Sequence, residues 1–205
     1  QKLNSLLGVS VPNAEVKVLN SKFIESGPLL ITHWGMSGPA ILKLSSKAAK
    51  FLFDRSYQFT YEVEWHPNSD EIIESFRKES PKQQVGNSKI ASFPARFWEY
   101  LVVSSGIDKT KRWGDLNKNE LFKLKDLLFR DVYQANGKTT FKEEFVSCGG
   151  IRLKEINMKS MESKLVSGLY FCGELLNIDG YTGGFNFQAA WTTGHLVSEG
   201  ILSKT

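Results

Sequence analysis

The glycine-rich tail "GYTGGFNFQAAWTTGHLVSEG", which runs from Gly180 to Gly200, decides how this chain folds at its C-terminal end. Three glycines fall within its first five residues, and an apolar segment with helical spacing follows. A helix that starts at such a turn leaves its first backbone N–H groups unpaired and carries a partial positive charge. The stretch therefore predicts a helix start that suits a ligand presenting oxygens or partial negative charge.

The residues before this tail add a strand and two carboxylates. Leu169–Cys172 is predicted to form a short buried strand that ends at Gly173 and Glu174, and the loop continues through Asp179. Carboxylates accept hydrogen bonds from hydroxyls, and glycines let a flat ligand approach the backbone. A sugar-bearing cofactor with an electron-poor ring would use all these features. A plain strand-to-helix connection explains the glycines equally well, so the residues alone leave both interpretations open.

The composition is typical of a globular chain from a reducing compartment. Of 205 residues, 41% are hydrophobic and 23% are charged, which is enough for a sizeable core. No long apolar run or basic leader occurs, so we expect no membrane span and no secretion. With only Cys148 and Cys172, we expect a cytoplasmic location and neither a disulfide nor a zinc site. The net charge of +4 is dispersed, which favours solvated faces over a nucleic-acid interface. Because the sequence does not begin with methionine, we expect it to be a fragment.

Alternating side chains predict strands in the first part of the chain. In "YQFTYEVEW", residues 57–65, the apolar and aromatic side chains all fall at odd positions, so one face covers a core. The segments "AEVKVL" and "GPLLIT" are predicted strands as well. A helix is predicted over "SGPAILKLSSKAAKFLF", with Ser37 as its cap and Pro39 in its first turn.

Helical spacing dominates between residues 67 and 129. Asn68 and Asn117 each precede a glutamate by three residues, which is the spacing of a capping box. Extended structure is then predicted on both sides of Asn136 and Gly137, a pair typical of a tight hairpin turn. The pattern therefore predicts a small helical subdomain between two regions of strand.

Three blocks of the sequence resemble the BaiN/YhiN-like flavoproteins, a family usually described as NAD(P)/FAD-dependent oxidoreductases. The longest is "SMESKLVSGLYFCGELLNIDGYTGGFNFQAAWTTG", residues 160–194, which resembles the family's C-terminal signature. "GPLLITHWGMSGPAILKLSS", residues 27–46, and "FVSCGGIRLKEI", residues 145–156, resemble two further family blocks in the same order. Together the blocks cover about the first quarter and the last third of the chain.

This resemblance implies an α+β chain that is part of a longer flavoprotein. Residues 1–66 and 130–148 would form an inserted β-barrel-like subdomain, and residues 67–129 a small helical subdomain. Residues 149–205 would be the C-terminal strand–helix portion of a Rossmann-like FAD domain. The N-terminal half of that domain would be absent, because no G-x-G-x-x-G fingerprint occurs in the sequence.

The resemblance also implies a cofactor and site residues. The cofactor would be FAD in the full-length parent, with NAD(P)H as its reductant. Glu174 corresponds to an acid that accepts hydrogen bonds from the ribityl chain, and the helix start would stabilise negative charge on the flavin ring. The implied FAD-binding residues are Gly173, Glu174, Asp179, Gly180, Gly183, Gly184, Phe185 and Asn186. Phe185 replaces a more usual tyrosine and Asn177 a common aspartate, so one hydroxyl and one carboxylate are missing.

His33, in "THWGMSGP", is a tentative catalytic residue. An imidazole titrates near neutral pH, so His33 could relay protons beside a flavin. The alternative is structural: His33 bonds a backbone group and Trp34 fills the core. Cys148 and Cys172 lack the spacing of a redox dithiol, and both are expected to be small apolar fillers.

Two functions remain open from the sequence. The first is a FAD-dependent oxidoreductase that reduces a small organic substrate, for which this chain supplies half of the cofactor site. The second is a non-catalytic interaction or nucleic-acid-binding module of a flavoprotein, favoured by the mild positive charge and the helical insertion. Alone, the chain is expected to lack tight FAD binding and turnover. Its partner would be the missing half of the FAD domain, and apolar surface left exposed without it is expected to favour self-association.

Overall fold

The computed structural model describes residues 3–90, 93–138, 146–181 and 183–203, which form two compact units, Gln1–Thr139 and Thr140–Thr205. The strands of the first unit are β1 (Ser10–Val18), β2 (Ile24–Thr32), β3 (Gly35–Ser37), β4 (Gln58–Glu64) and β5 (Asp131–Asn136). Its helices are α1 (Pro39–Lys47), α2 (Ala49–Phe53), α3 (Ser69–Glu79), α4 (Ala95–Ser104) and α5 (Lys118–Phe129). Short 3-10 helices occur at Asn4–Leu6, Val85–Asn87 and Trp113–Asp115. The second unit contains β6 (Ile156–Asn157), β7 (Glu162–Ser163), α6 (Phe185–Leu202) and 3-10 helices at Leu153–Glu155 and Gly173–Leu175.

The first unit is built on an antiparallel sheet with the strand order β3-β2-β1-β4-β5. Val16 of β1 pairs with Val63 of β4, and both side chains are fully buried. The alternation predicted for residues 57–65 is confirmed from Phe59 onward, because Phe59 and Tyr61 pack against the core and Val63 and Trp65 are buried. Tyr57 precedes β4 with a φ of 57°, so the alternation does not include it. The apolar face of the sheet therefore covers the core of this unit.

The start of α1 requires a glycine instead of a capping serine. Pro39 is the first helical residue, as predicted, but Ser37 lies in β3 and Gly38 occupies the N-cap position. Gly38 has a φ of 97°, and a Cβ there would lie 2.8 Å from the Pro28 carbonyl oxygen. The prediction that Ser37 caps this helix is therefore wrong, because the tight strand-to-helix turn leaves room only for glycine.

Only one of the two predicted capping boxes forms. Asn117 Oδ1 accepts the Glu120 N–H at 2.9 Å, and the Glu120 carboxylate accepts the Asn117 N–H at 2.9 Å. A hydrogen bond from Lys111, together with that Asn117 N–H, holds the pKa of the Glu120 carboxyl below its usual range. Asn68 makes no side-chain cap, because its backbone is not in the extended conformation of a capping residue. Its N–H donates to His66 Nδ1, so the reciprocal bond to Glu71 is not made either.

Three fully buried tryptophans occupy the core of the first unit. Trp98 Nε1 donates to a backbone carbonyl at 2.8 Å, and Trp113 Nε1 donates to Ser88 Oγ at 2.7 Å. Trp65 Nε1 donates to the carboxylate of buried Asp131 at 3.1 Å. Each indole N–H has an acceptor, so these large rings are buried without leaving an unpaired donor.

The second unit consists of a short hairpin, connecting loops and one long helix. Ile156, Met161 and Leu176 are its buried core. Gly200 of α6 lies directly against the hairpin loop, because a Cβ at this position would be 2.5 Å from the Ser160 carbonyl oxygen. The packing of α6 on the hairpin therefore depends on a helical glycine.

The buried strand predicted at Leu169–Cys172 is not observed. Both ends of this segment are exposed, and it pairs through an isolated bridge between Glu162 and Tyr170. Cys148 is exposed as well, so the prediction that both cysteines are apolar fillers is wrong. A short segment is buried as a strand only when sheet neighbours cover it, and the described part of this unit supplies a single bridge.

The mixed α and β class predicted from the sequence is confirmed. The Rossmann-like assignment of residues 149–205 remains a prediction. The second arm of the hairpin predicted after Gly137 falls mainly on residues 139–145, which lie outside the described residues. None of the helices in the described ranges has the length and apolar character needed to cross a membrane.

Candidate functional site

The start of α6 follows a left-handed turn made by Gly183 and Gly184. Their φ angles are 121° and 98°, which side chains of L-residues disfavour. The Gln188 N–H donates to the Gly184 carbonyl at 2.9 Å, so the N–H groups of residues 185–187 have no acceptor within the helix. A Cβ built on either glycine meets nothing within 4 Å. Glycine is therefore needed at both positions for the backbone conformation and not for lack of space. The space around the turn is empty within this unit, so the start of α6 is accessible.

Asn186 fastens the preceding loop to this helix start. Its Oδ1 accepts the Gly180 N–H at 2.7 Å, and its Nδ2 donates to the Gly180 carbonyl at 3.1 Å. Gly180 has no room for a side chain, because a Cβ would lie 2.9 Å from Asn186 Oδ1. The Asn186 side chain is thus used to position the loop, and its backbone N–H is the group it can offer a ligand.

Thr193 anchors the Gly173 loop to the same helix. Thr193 is 6% exposed, and its Oγ1 accepts the Gly173 N–H at 3.0 Å while donating to the Ala189 carbonyl at 2.7 Å. Thr193 was not predicted from the sequence, because its role depends on a contact with Gly173, 20 residues earlier in the chain, which helical spacing does not encode. Only the proximity of a threonine to the glycine signature could have drawn attention to it.

Two carboxylates flank this arrangement. Glu174 Oε1 accepts the Ser147 N–H at 2.9 Å, whereas its Oε2 has no hydrogen-bond partner among the described residues. Asp179 is exposed and likewise has no partner in the described part of the chain. Both acids can therefore accept hydrogen bonds from the hydroxyls of a ligand.

Gly150 packs closely against the loop that contains Leu175 and Leu176. A Cβ at Gly150 would lie 2.7 Å from the Leu175 carbonyl oxygen, so glycine alone permits this approach. The next residue, Ile151, forms a parallel bridge with Leu176, and its N–H donates to the Leu175 carbonyl at 2.8 Å. Two of the three family-like blocks, the one that contains Ile151 and the one that contains Leu176, therefore meet at the Gly173 loop.

The exposed face of α6 is strongly aromatic. Phe185, Phe187 and Trp191 are 63%, 69% and 70% exposed, and the rings of Phe187 and Trp191 stack with centroids 6.2 Å apart. The exposed apolar surface expected from the sequence is therefore present. Self-association through it stays a prediction.

His33 belongs to the first unit, in the turn between β2 and β3. His33 is exposed and makes no hydrogen bond to any described residue, so the structural role considered for it is not observed. Trp34 is 63% exposed, which overturns the expectation that it fills the core. A catalytic role for His33 stays a prediction.

The groups around the start of α6 fit the polar parts of a flavin nucleotide. The N–H groups of residues 185–187 match ring carbonyl oxygens, and the open turn at Gly183 and Gly184 admits a flat ring. Glu174 and Asp179 match hydroxyl groups of a ribityl chain. Flavin binding by these groups stays a prediction, and the described residues of the arrangement include no nucleophile with an adjacent base.

Comparison with protein-family models places the first unit in a known family. The model described as "HI0933-like protein barrel and H2TH domain" matches residues 1–146. The chain belongs to the HI0933-like family. Membership of this family confirms the predicted resemblance to BaiN/YhiN-like flavoproteins. It also confirms that the chain contains a barrel-like domain, which lies in the first unit.

Curated relatives of this HI0933-like chain include enzymes with different substrates. It is 32% identical to a ribosomal RNA dihydrouridine synthase of Haemophilus influenzae, over 94% of the chain and 46% of the relative. A ribosomal RNA dihydrouridine synthase of Escherichia coli is 30% identical, over 99% of the chain and 49% of the relative. A 3-dehydro-bile acid delta(4,6)-reductase of Clostridium scindens is 28% identical, over 88% of the chain and 45% of the relative. The chain thus spans about half the length of these relatives, which support a flavoprotein oxidoreductase as its coarse class.

Proposed function

We propose that this chain is part of a FAD-dependent oxidoreductase that reduces a carbon–carbon double bond conjugated to a carbonyl group, with NAD(P)H as reductant. The observation that carries the proposal is the open start of α6, where backbone donors follow a glycine turn, together with the Glu174 carboxylate on the loop that Thr193 anchors to the same helix. The names of the relatives support the reaction. Dihydrouridine is uridine with two hydrogens added across a double bond, and a delta(4,6)-reductase acts on double bonds.

The reaction adds a hydride to one carbon of the double bond and a proton to the other. A bound flavin would supply the hydride and be reduced again by NAD(P)H. The N–H groups of residues 185–187 would donate to the ring oxygens and favour negative charge at that edge. Glu174 Oε2 and Asp179 would accept hydrogen bonds from the ribityl hydroxyls, with Asn186 and Thr193 holding the two loops in place. His33 is the candidate proton donor.

Two substrate classes follow from different supports. A small organic carbonyl compound is the class expected from the sequence, and the bile acid reductase relative supports it. A uracil within RNA is the second class, supported by the two dihydrouridine synthases at 32% and 30% identity. Both contain the same reactive group, so one cofactor site serves either.

The chain would work as part of a longer polypeptide. It spans about half of each relative, and the aromatic face of α6 at Phe187 and Trp191 is exposed. We propose that the N-terminal half of the FAD domain covers this face and supplies the pyrophosphate-binding turn. The cytoplasmic location likewise stays a prediction, based on cysteine usage.

The test is reduction of the cofactor in the longer polypeptide. It should purify yellow, bleach when NADH or NADPH is added, and regain colour when an unsaturated carbonyl substrate is supplied. The 205-residue chain is the control and should not retain FAD. A longer polypeptide that stays colourless when saturated with FAD would contradict the proposal and favour a non-catalytic module.

A pair of glycine variants tests the position of the site. Gly184→Ala should weaken FAD binding by the longer polypeptide about 5- to 30-fold. The free turn relaxes from the left-handed conformation, and binding must restore it at a cost of roughly 1–2 kcal/mol. Gly168, with a φ of 80° and nothing within 4 Å of its would-be Cβ, is the matched control. Gly168→Ala carries the same backbone strain and should leave FAD affinity unchanged. Equal losses from both variants would show a general effect on stability instead of a cofactor site.

A further inference from the structure

The hairpin between β2 and β3 presents two aromatic side chains at its tip. Thr32 pairs with Gly35, so His33 and Trp34 are the two residues of the turn, and Thr32 Oγ1 donates to the Gly35 carbonyl at 3.1 Å. Trp34 is 63% exposed, and the His33 and Trp34 ring centroids are 6.2 Å apart. Two-residue hairpin turns usually carry small residues such as Asn-Gly. Two large rings at this position are therefore unusual, and the exposed face of Trp34 is accessible to a ligand.

The end of β2 that leads into the turn is hydrogen-bonded to the segment before β1, which also binds a cationic side chain. Gly8 N–H donates to the Ile31 carbonyl at 2.9 Å, which ties the end of β2 to the segment before β1. Arg96 Nη2 donates to the carbonyl of the preceding residue, Leu7, at 2.9 Å. The exposed Arg96 guanidinium therefore binds the segment that pairs with the end of β2 at Ile31. A rigid aromatic side chain loses little entropy when it binds a ligand.

We propose that the exposed Trp34 ring is a stacking surface for an unpaired base of an RNA substrate, with His33 beside it and Arg96 as a cation for the phosphates of the same strand. This inference rests on the proposed function, and it selects RNA from the two substrate classes. Proteins recognise single-stranded RNA by stacking its bases on aromatic side chains and pairing its phosphates with cations. A bile-acid-like ring system is largely saturated and offers no π-face to the indole, so the flat ring and the cation favour a nucleotide.

The test measures binding of a fluorescein-labelled RNA stem–loop whose loop consists of unpaired uridines, at constant salt. Trp34→Ala should weaken binding about 5- to 100-fold, and Trp34→Phe should keep most of the affinity because a ring face remains. Phe53→Ala is the control, because Phe53 is 69% exposed in the same unit and lies outside the proposed surface. It should bind as the parent does.

Tryptophan fluorescence gives a second readout. Of the five tryptophans, Trp65, Trp98 and Trp113 are buried, so a Trp191→Phe background leaves Trp34 as the exposed emitter. The stem–loop should shield this emission from acrylamide. Three results would overturn the inference. The first is that Trp34→Ala binds RNA like the parent, and the second is that neither the chain nor the longer polypeptide binds the stem–loop. The third is that protein already shields Trp34 in the longer polypeptide without RNA. Bleaching of its flavin by NAD(P)H would persist in each case if the proposed function holds.

Discussion

Replacing Thr193 by valine removes one hydroxyl from the buried anchor of the Gly173 loop. The hydroxyl oxygen accepts the Gly173 N–H at 3.0 Å and donates to the Ala189 carbonyl at 2.7 Å. Valine has nearly the same shape, so no cavity forms, but the Gly173 N–H loses its acceptor. A buried donor left unpaired costs about 1–3 kcal/mol, and we expect about 1–2 kcal/mol because Gly173 is only half-buried.

Hydrogen exchange measured by mass spectrometry detects this loss where it occurs. The peptide covering residues 171–177 should exchange about 5- to 30-fold faster in Thr193→Val, because local opening becomes easier by that free energy. Thr192→Val is the matched control, since exposed Thr192 only accepts a hydrogen bond from Gln188 at 3.2 Å. Equal exchange in the two variants would refute the anchoring role of Thr193.

Three further predictions test the fold. Asn117→Ala should lower the free energy of unfolding by about 1 kcal/mol, measured in urea, whereas Asn68→Ala should have little effect because only Asn117 forms a cap. Gly200→Ala should destabilise the packing of α6 by about 1–3 kcal/mol, because the new Cβ would lie 2.5 Å from a carbonyl oxygen. Gly194→Ala should stabilise the helix by about 1 kcal/mol, because a Cβ there meets nothing within 4 Å. Thermal unfolding that ranks the two glycine variants the other way would contradict this packing. The lowered pKa of Glu120 stabilises the folded state at every pH above the pKa of an unfolded glutamate, about 4.3, and this stabilisation is lost as the pH falls through the folded-state pKa. Glu120→Gln should therefore make the free energy of unfolding fall less steeply at acid pH. An equally steep fall would show that the carboxylate is not held in the folded state.

Sequence patterns predicted correctly those helices and strands that depend mainly on neighbouring residues in the chain. The strand at residues 57–65 was predictable because strict alternation has one structural solution, and Pro39 marked a helix start because its ring suits the first turn. The two capping boxes show the limit of such patterns. Asn68 and Asn117 have the same spacing to a glutamate, but the Asn68 N–H is used by His66, which a sequence pattern does not reveal.

The candidate site was predictable in position but not in its internal contacts. The glycine turn and α6 were expected from the spacing of Gly183 and Gly184. The roles of Asn186 and Thr193 depend on loops that fold back onto the helix, so they emerge only in three dimensions. The exposure of Trp34 has a similar origin, because alternation along β2 ends at the turn and no longer dictates which side chain faces the core.

The central claim is that the start of α6 binds the carbonyl edge of a flavin ring. The most direct measurement is a crystal structure of the longer polypeptide with FAD bound. The account predicts a ring oxygen about 3 Å from the backbone nitrogen of Phe185 or Asn186, with Glu174 hydrogen-bonded to a ribityl hydroxyl. A flavin ring bound elsewhere, with no atom in hydrogen-bond reach of residues 185–187, would contradict the account.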